Sequence, residues 1–266
     1  MIDFDQLFTE YLQQWMENNS SLTPDEMEDK AVSLFDEWKE IVYEELGGIS
    51  PKQYFEKITS PKELVQMLVS IAEEGNSPSA LLLDRIAETD CNEELSKVIN
   101  GDYSAEVKIE AINLLSEIGA NHPLNKYVEI LADENEDEGL RELCVEVMSQ
   151  DANSVSEALY SLLPNAGYAL KGLIAEILVN AKQDERTYVL LEDLFKNGNN
   201  VPLYAGFIGK YGDERAMMYL YKALDNCNYA DFTEIRNAIE QLGGTVDDEY
   251  RDFSSDPYYK ALKNLK

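Results

Sequence analysis

Leu95, Val98 and Ile99 form an apolar i, i+3, i+4 triplet, and the same triplet returns along the chain at a nearly fixed step. A step of 32 gives Tyr127, Ile130 and Leu131, the next gives Leu159, Leu162 and Leu163, and the next gives Leu191, Leu194 and Phe195. A step of 29 then reaches Leu220, Ala223 and Leu224, and a backward step of 31 reaches Leu64, Met67 and Leu68. Triplets of this spacing mark one face of a helix. A second column keeps the same period: Ala111 with Leu115, Leu143 with Val147, Ala175 with Val179, Phe207 with Tyr211, then Ala238 with Leu242. Two columns per period mean two helices per repeat. A single helix pair cannot bury its apolar face alone, so successive pairs must stack. The expected fold is all-α, a right-handed α-solenoid of about six helix pairs starting near residues 61, 92, 123, 154, 185 and 213.

Such an array needs covers for its open ends. Residues 1–60 are read as an N-terminal helical cap, 61–244 as the array and 245–266 as a C-terminal capping tail. In the first segment, Leu7, Phe8, Tyr11, Leu12 and Trp15 share one face of a helix over 3–18. Thr23, Pro24 and Glu26 are a start signal for a second helix, expected to run to Leu46 with Met27, Ala31, Leu34, Phe35, Trp38, Ile41 and Val42 inward. Gly47-Gly48 would end it. Both tryptophans lie in this pair, which predicts an aromatic seam. Ser50-Pro51 and Ser60-Pro61 open the next two helices, and a last short helix starts near Pro257, carrying Tyr258, Tyr259, Leu262 and Leu265.

The net charge is −30, from 52 acidic and 22 basic residues, which disfavours a nucleic-acid backbone or an anionic membrane surface as partner. The acidity is uneven: residues 61–153 hold 21 acidic and 6 basic side chains, residues 154–244 hold 12 and 8. A basic partner would therefore be drawn to the N-terminal three-fifths. The richest apolar stretch, Tyr168 to Val179, is cut by Lys171 and Glu176 and is too short to span a bilayer. The first residues are acidic and show no secretory signal, so the protein is expected to be soluble and cytoplasmic. Cys91, Cys144 and Cys227 are odd in number and far apart, which fits small core thiols rather than a disulfide framework or a metal site.

The local wording of the repeats resembles HEAT-like repeats, in particular the short kind named after phycobilisome lyases. The residues that carry the likeness are Gly212-Asp213-Glu214-Arg215-Ala216 before the last pair, Ile235-Arg236 and Leu242-Gly243 in its second helix, Val107-Lys108 and Ile118-Gly119 in the second pair, and Leu140-Arg141 in the third. The match spans about residues 61–244. The fourth and fifth pairs depart from it, with Val201-Pro202 where the basic residue would stand in the fifth. The resemblance implies a solenoid of HEAT-like pairs whose second helices line the binding side. Tetratricopeptide repeats fit less well, because they want a period near 34 and a tryptophan in the repeat.

Chemistry-bearing patterns are sparse. His122 is the single histidine, which excludes multi-histidine metal sites, and a nucleophilic pair would need Ser or Cys beside it in space. The run Asp133 to Glu138 lacks the glycine and the final glutamate of a calcium loop. Phosphate and dinucleotide loops are missing from the sequence. No catalytic residue, metal or cofactor is assigned.

The strongest patch is the second-helix face of the fourth and fifth pairs, poor in charge and rich in aromatics. Tyr168, Lys171, Tyr204 and Phe207 are its candidate partner-binding residues, although Phe207 falls with Tyr211 in the apolar column and also has a claim as core. The expected function is a noncatalytic protein-interaction scaffold presenting a concave groove to a peptide or protein. The alternative is an enzyme accessory or lyase-like modification factor, which would show a deep pocket with a strongly perturbed carboxylate.

Overall fold

Asp3 accepts the Gln6 amide at 2.9 Å and starts the first helix, α1 (Phe4–Asn18). In this computed structural model the described residues are 2–19, 23, 30–247 and 250–264. The expected second-helix start at Pro24, Glu26 and Met27 lies outside them, as do the Ala31 side chain, Asp248, Glu249 and Leu265. All regular structure among the described residues is helical, apart from one isolated antiparallel bridge between Tyr43 and Ile49. The chain divides into two compact units, Met1–Pro123 and Leu124–Lys266. The division falls between the second and third expected pairs.

In the first unit α1 packs on α2 (Ala31–Trp38). The predicted aromatic seam joins them: the Phe8 ring lies 5.3 Å from Phe35 and 5.0 Å from Trp38, which is 1% exposed. The second helix ends at Trp38, not Leu46. Ile41 and Val42 are exposed rather than inward, because the chain leaves the helix for a loop closed by the Tyr43–Ile49 bridge. Gly47 and Gly48, at φ 76° and 81°, make that tight reversal, which a side chain at either position would strain. Ser50 and Gln53 form a capping box on α3 (Pro51–Glu56).

Two helix pairs complete this unit: α4 (Pro61–Glu73) with α5 (Ala80–Glu88), and α6 (Asn92–Asn100) with α7 (Ala105–Glu117). First helix packs on first (α4 on α6) and second on second (α5 on α7). Leu64, Leu68, Leu95, Val98 and Ile99 of the first column and Ala111 and Leu115 of the second are all buried.

Four pairs lie in the second unit: α8 (Leu124–Ala132) with α9 (Glu138–Gln150), α10 (Ala152–Leu162) with α11 (Tyr168–Leu178), α12 (Glu185–Asn197) with α13 (Val201–Tyr211), and α14 (Met217–Leu224) with α15 (Tyr229–Gln241). The packings α8 on α10, α9 on α11 and α13 on α15 repeat the first-on-first and second-on-second rule. The basic residue that opens α9 has a structural use. Arg141 donates through Nε and Nη2 to the Leu131 carbonyl, at 3.3 and 3.0 Å, satisfying a last-turn carbonyl of α8. Between pairs, Tyr211 of the second column donates to the Asp184 carbonyl at 2.9 Å and accepts the Asp184 amide at 2.6 Å. Tyr160 and Thr187 share a buried hydrogen bond of 2.7 Å.

The tail closes on α15. Arg251 donates to the Leu224 and Cys227 carbonyls at 2.8 and 2.9 Å, Phe253 is buried against Phe232, and α16 (Pro257–Asn264) lays Tyr259 4.8 Å from the Tyr229 ring. Tyr258 and Leu262 remain exposed.

Candidate functional site

The candidate patch depends on how α11 and α13 begin. A short 3₁₀ turn at Leu163–Asn165 delivers Gly167 as the cap of α11, so Tyr168 is its first residue. Asn200 accepts the Leu203 amide at 3.2 Å, and Pro202 sits in the first turn of α13, where its missing N–H costs no helical hydrogen bond.

Tyr168 and Lys171 come together, but on Asp193 of α12. The Tyr168 hydroxyl donates to Asp193 Oδ1 at 3.3 Å, and Lys171 Nζ lies 2.9 Å from Oδ2 and 5.0 Å from the Tyr168 ring centroid. Hydrogen bonds from Lys171 and then Asn197 hold the Asp193 carboxyl below its usual range. Tyr168 is 43% exposed, whereas the Lys171 charge is already matched within the chain.

Tyr204 is not a surface residue. It is 7% exposed, and its ring packs so tightly over Gly198 that a Cβ there would meet it at 2.5 Å. The ring of Tyr204, a candidate partner-binding residue, lies against Gly198 and Gly172 and is placed in the interior. Phe207, with its ring 6.3 Å from Tyr204, is half-buried. On the same face, one turn earlier, Leu203 is 43% exposed. Gly209 serves packing, since a Cβ there would lie 3.0 Å from the Ala238 Cα and run into Gln241.

A groove of about 500 Å³ runs along the second helices of this unit. It is lined by Glu142, Glu146 and the buried Val145 of α9, Leu173 and Glu176 of α11 and Lys210 of α13. Among the described residues these three glutamates have no ion-pair partner. Neither Leu203 nor these glutamates stood out in the sequence. Leu203 follows a proline outside the apolar column, and single carboxylates carry no signal in so acidic a chain.

Other chemistry is limited. Ser116 Oγ lies 3.3 Å from His122 Nε2 and donates to the Ile112 carbonyl at 3.1 Å. Which of the two donates to the other depends on the imidazole tautomer. In the first unit a cavity of about 410 Å³ is lined by Asp3, Asp5 and Glu74 beside Phe4, Tyr54 and Phe55. Burial, and then Asp3, raise the Asp5 carboxyl above its ordinary value. Among the described residues no histidine, cysteine, lysine or arginine lines that cavity. In the acidic run, Asp133 accepts from Asn135 and Asp137 caps α9, so both have local structural tasks. Among the described residues no group of three or more His, Cys, Asp or Glu is placed to hold a metal ion. Cys91 and Cys144 are buried free thiols and Cys227 a half-buried one, and burial pushes Cys91 up to about 11. No helix among the described residues is long and apolar enough to cross a membrane.

No protein-family model, curated protein or solved structure matches the chain.

Proposed function

We propose that the helix pairs of each unit stack as a right-handed HEAT-like solenoid, and that the protein is a noncatalytic interaction scaffold. Its partner, a protein or peptide, seats on the second-helix face of the unit Leu124–Lys266. The two-column register and the first-on-first, second-on-second packing support the stacking. The observation that carries the binding reading is Leu203, apolar and 43% exposed on α13, with the half-buried Phe207 one turn on along the same face. The acid-rich composition favours a protein over a nucleic-acid partner, and the three free cysteines fit a reducing compartment such as the cytoplasm. The competing reading, an enzyme accessory or lyase-like factor, would rest on the cavity at Asp5, where Asp3, Asp5 and Glu74 gather and burial raises the Asp5 carboxyl.

The test is co-purification of the full chain from its native host. Leu203→Asp is expected to lose the partner at an unchanged melting temperature, while Met218→Asp, at a position 80% exposed on the first helix α14, keeps it. Equal retention by both variants would contradict the assignment.

A further inference from the structure

We propose that the cavity between α15 and the C-terminal tail binds a small planar aromatic carboxylate. This goes beyond the interaction-scaffold reading and does not rest on it. In the third pair, Arg141 stands two residues before Leu143 of the second column and caps the carbonyl of Leu131, the last member of its first-column triplet. Arg236 and Leu224 hold the same places in the last pair, two residues before Ala238 and at the end of the triplet. There, however, the Leu224 carbonyl accepts from Arg251 of the tail at 2.8 Å, and Arg236 donates through Nε to Glu240 at 2.7 Å. The tail thus brings a second guanidinium to this end of the unit. Both line one cavity of about 500 Å³, a size common among small-ligand sites. Arg251 spends only Nη1 on the described residues, on the Leu224 and Cys227 carbonyls and the Cys227 sulfur. Carbonyls fix a guanidinium without neutralising it, and Arg251 has no ion pair among the described residues. Its Nε and Nη2 remain, an edge whose two parallel N–H groups match a carboxylate. Asp252 also lines the cavity, held by the Ser254 amide and hydroxyl at 2.8 and 3.0 Å. The lining therefore carries two positive charges to one negative, in a chain of net charge −30. The rest of it is aromatic: the half-buried Tyr229 and Tyr259, with ring centroids 4.8 Å apart, and the buried Phe232 and Phe253. Rings of this kind favour a flat apolar body attached to the carboxylate.

The probe is cinnamate, titrated into the full-length chain and followed by ligand-observed NMR. Cinnamyl alcohol serves as the same ring without the charge, and hexanoate as the charge without the ring. Cinnamate is expected to bind with a Kd of about 1 mM or tighter, and each control about tenfold more weakly. Arg251→Lys keeps the charge but loses the two-pronged edge, and should weaken cinnamate about tenfold. Arg251 also holds the tail, so the melting temperature of this variant is measured alongside. Arg236→Gln leaves the Arg251 contacts in place and should weaken cinnamate about threefold through the lost positive charge. No cinnamate binding at about 10 mM, equal binding of cinnamyl alcohol, or wild-type affinity in either variant would overturn the proposal.

Discussion

The Arg186 guanidinium lies 3.7 Å from the centroid of the Tyr160 ring, so the first turn of α12 stacks on the face of α10. The same guanidinium reaches Glu157 at 2.9 and 2.6 Å and Asp184 at 3.0 and 2.8 Å. One repeat later, 29 residues on, Arg215 lies 4.0 Å over Tyr188 and pairs with Asp213 and Glu185. The acidic-turn motif before a first helix is thus a staple between successive pairs.

Lysine cannot make that planar, two-sided contact. Arg186→Lys is therefore expected to lower the melting temperature although the charge is kept, and thermal unfolding at low and high salt checks it. Because the pair is largely exposed, the deficit should narrow as salt is added.

Tyr168 and Tyr204 are expected to separate cleanly. Tyr204→Ala empties a buried slot and should cost about 3–5 kcal/mol, while the exposed Tyr168→Ala should stay under about 1 kcal/mol. Denaturant unfolding of the two single variants measures both.

Gly209→Ala tests the close approach of α13 to α15. Alanine gains about 1 kcal/mol in helix propensity over glycine. The new methyl, however, would press on backbone at the Ala238 Cα, 3.0 Å away. Overpacking of about 1–3 kcal/mol should win, so the variant is expected to be less stable. Removing the Gln241 side chain as well should restore little of the loss.

His122 gives a pH signature. Burial penalises its charged form and lowers its pKa below 6.5. The unfolded chain then binds the proton more readily than the folded one, so this contribution to stability is complete above the ordinary histidine value and is lost as pH falls through it. The proton resonance of the single imidazole should titrate with a midpoint below 6.5. His122→Gln should flatten the stability profile between about pH 7 and pH 6.

Helix order was legible because a repeated apolar triplet over-determines each face, and because Ser50, Ser60 and Pro202 punctuate the starts. The stop after Trp38 was not legible. Ile41, Val42 and Tyr43 extend the apolar run, and short runs of that kind fit a helix or an extended segment equally well. The site was legible only in part. The second-helix face was a reasonable place to look, but Tyr204 and Phe207 stand three residues apart, and the room that Gly198 leaves for the Tyr204 ring is a tertiary contact that spacing does not show. The unpaired state of Glu142, Glu146 and Glu176 depends on where every lysine and arginine goes, which spacing along the chain does not encode.

Amide hydrogen exchange on the purified full chain, free and saturated with its co-purified partner, tests the central claim most directly. New protection is predicted along α11 and α13, over residues 173–180 and 203–210, with the first helices α10, α12 and α14 unchanged. Protection confined to those first helices, or to residues 2–123, would contradict the account.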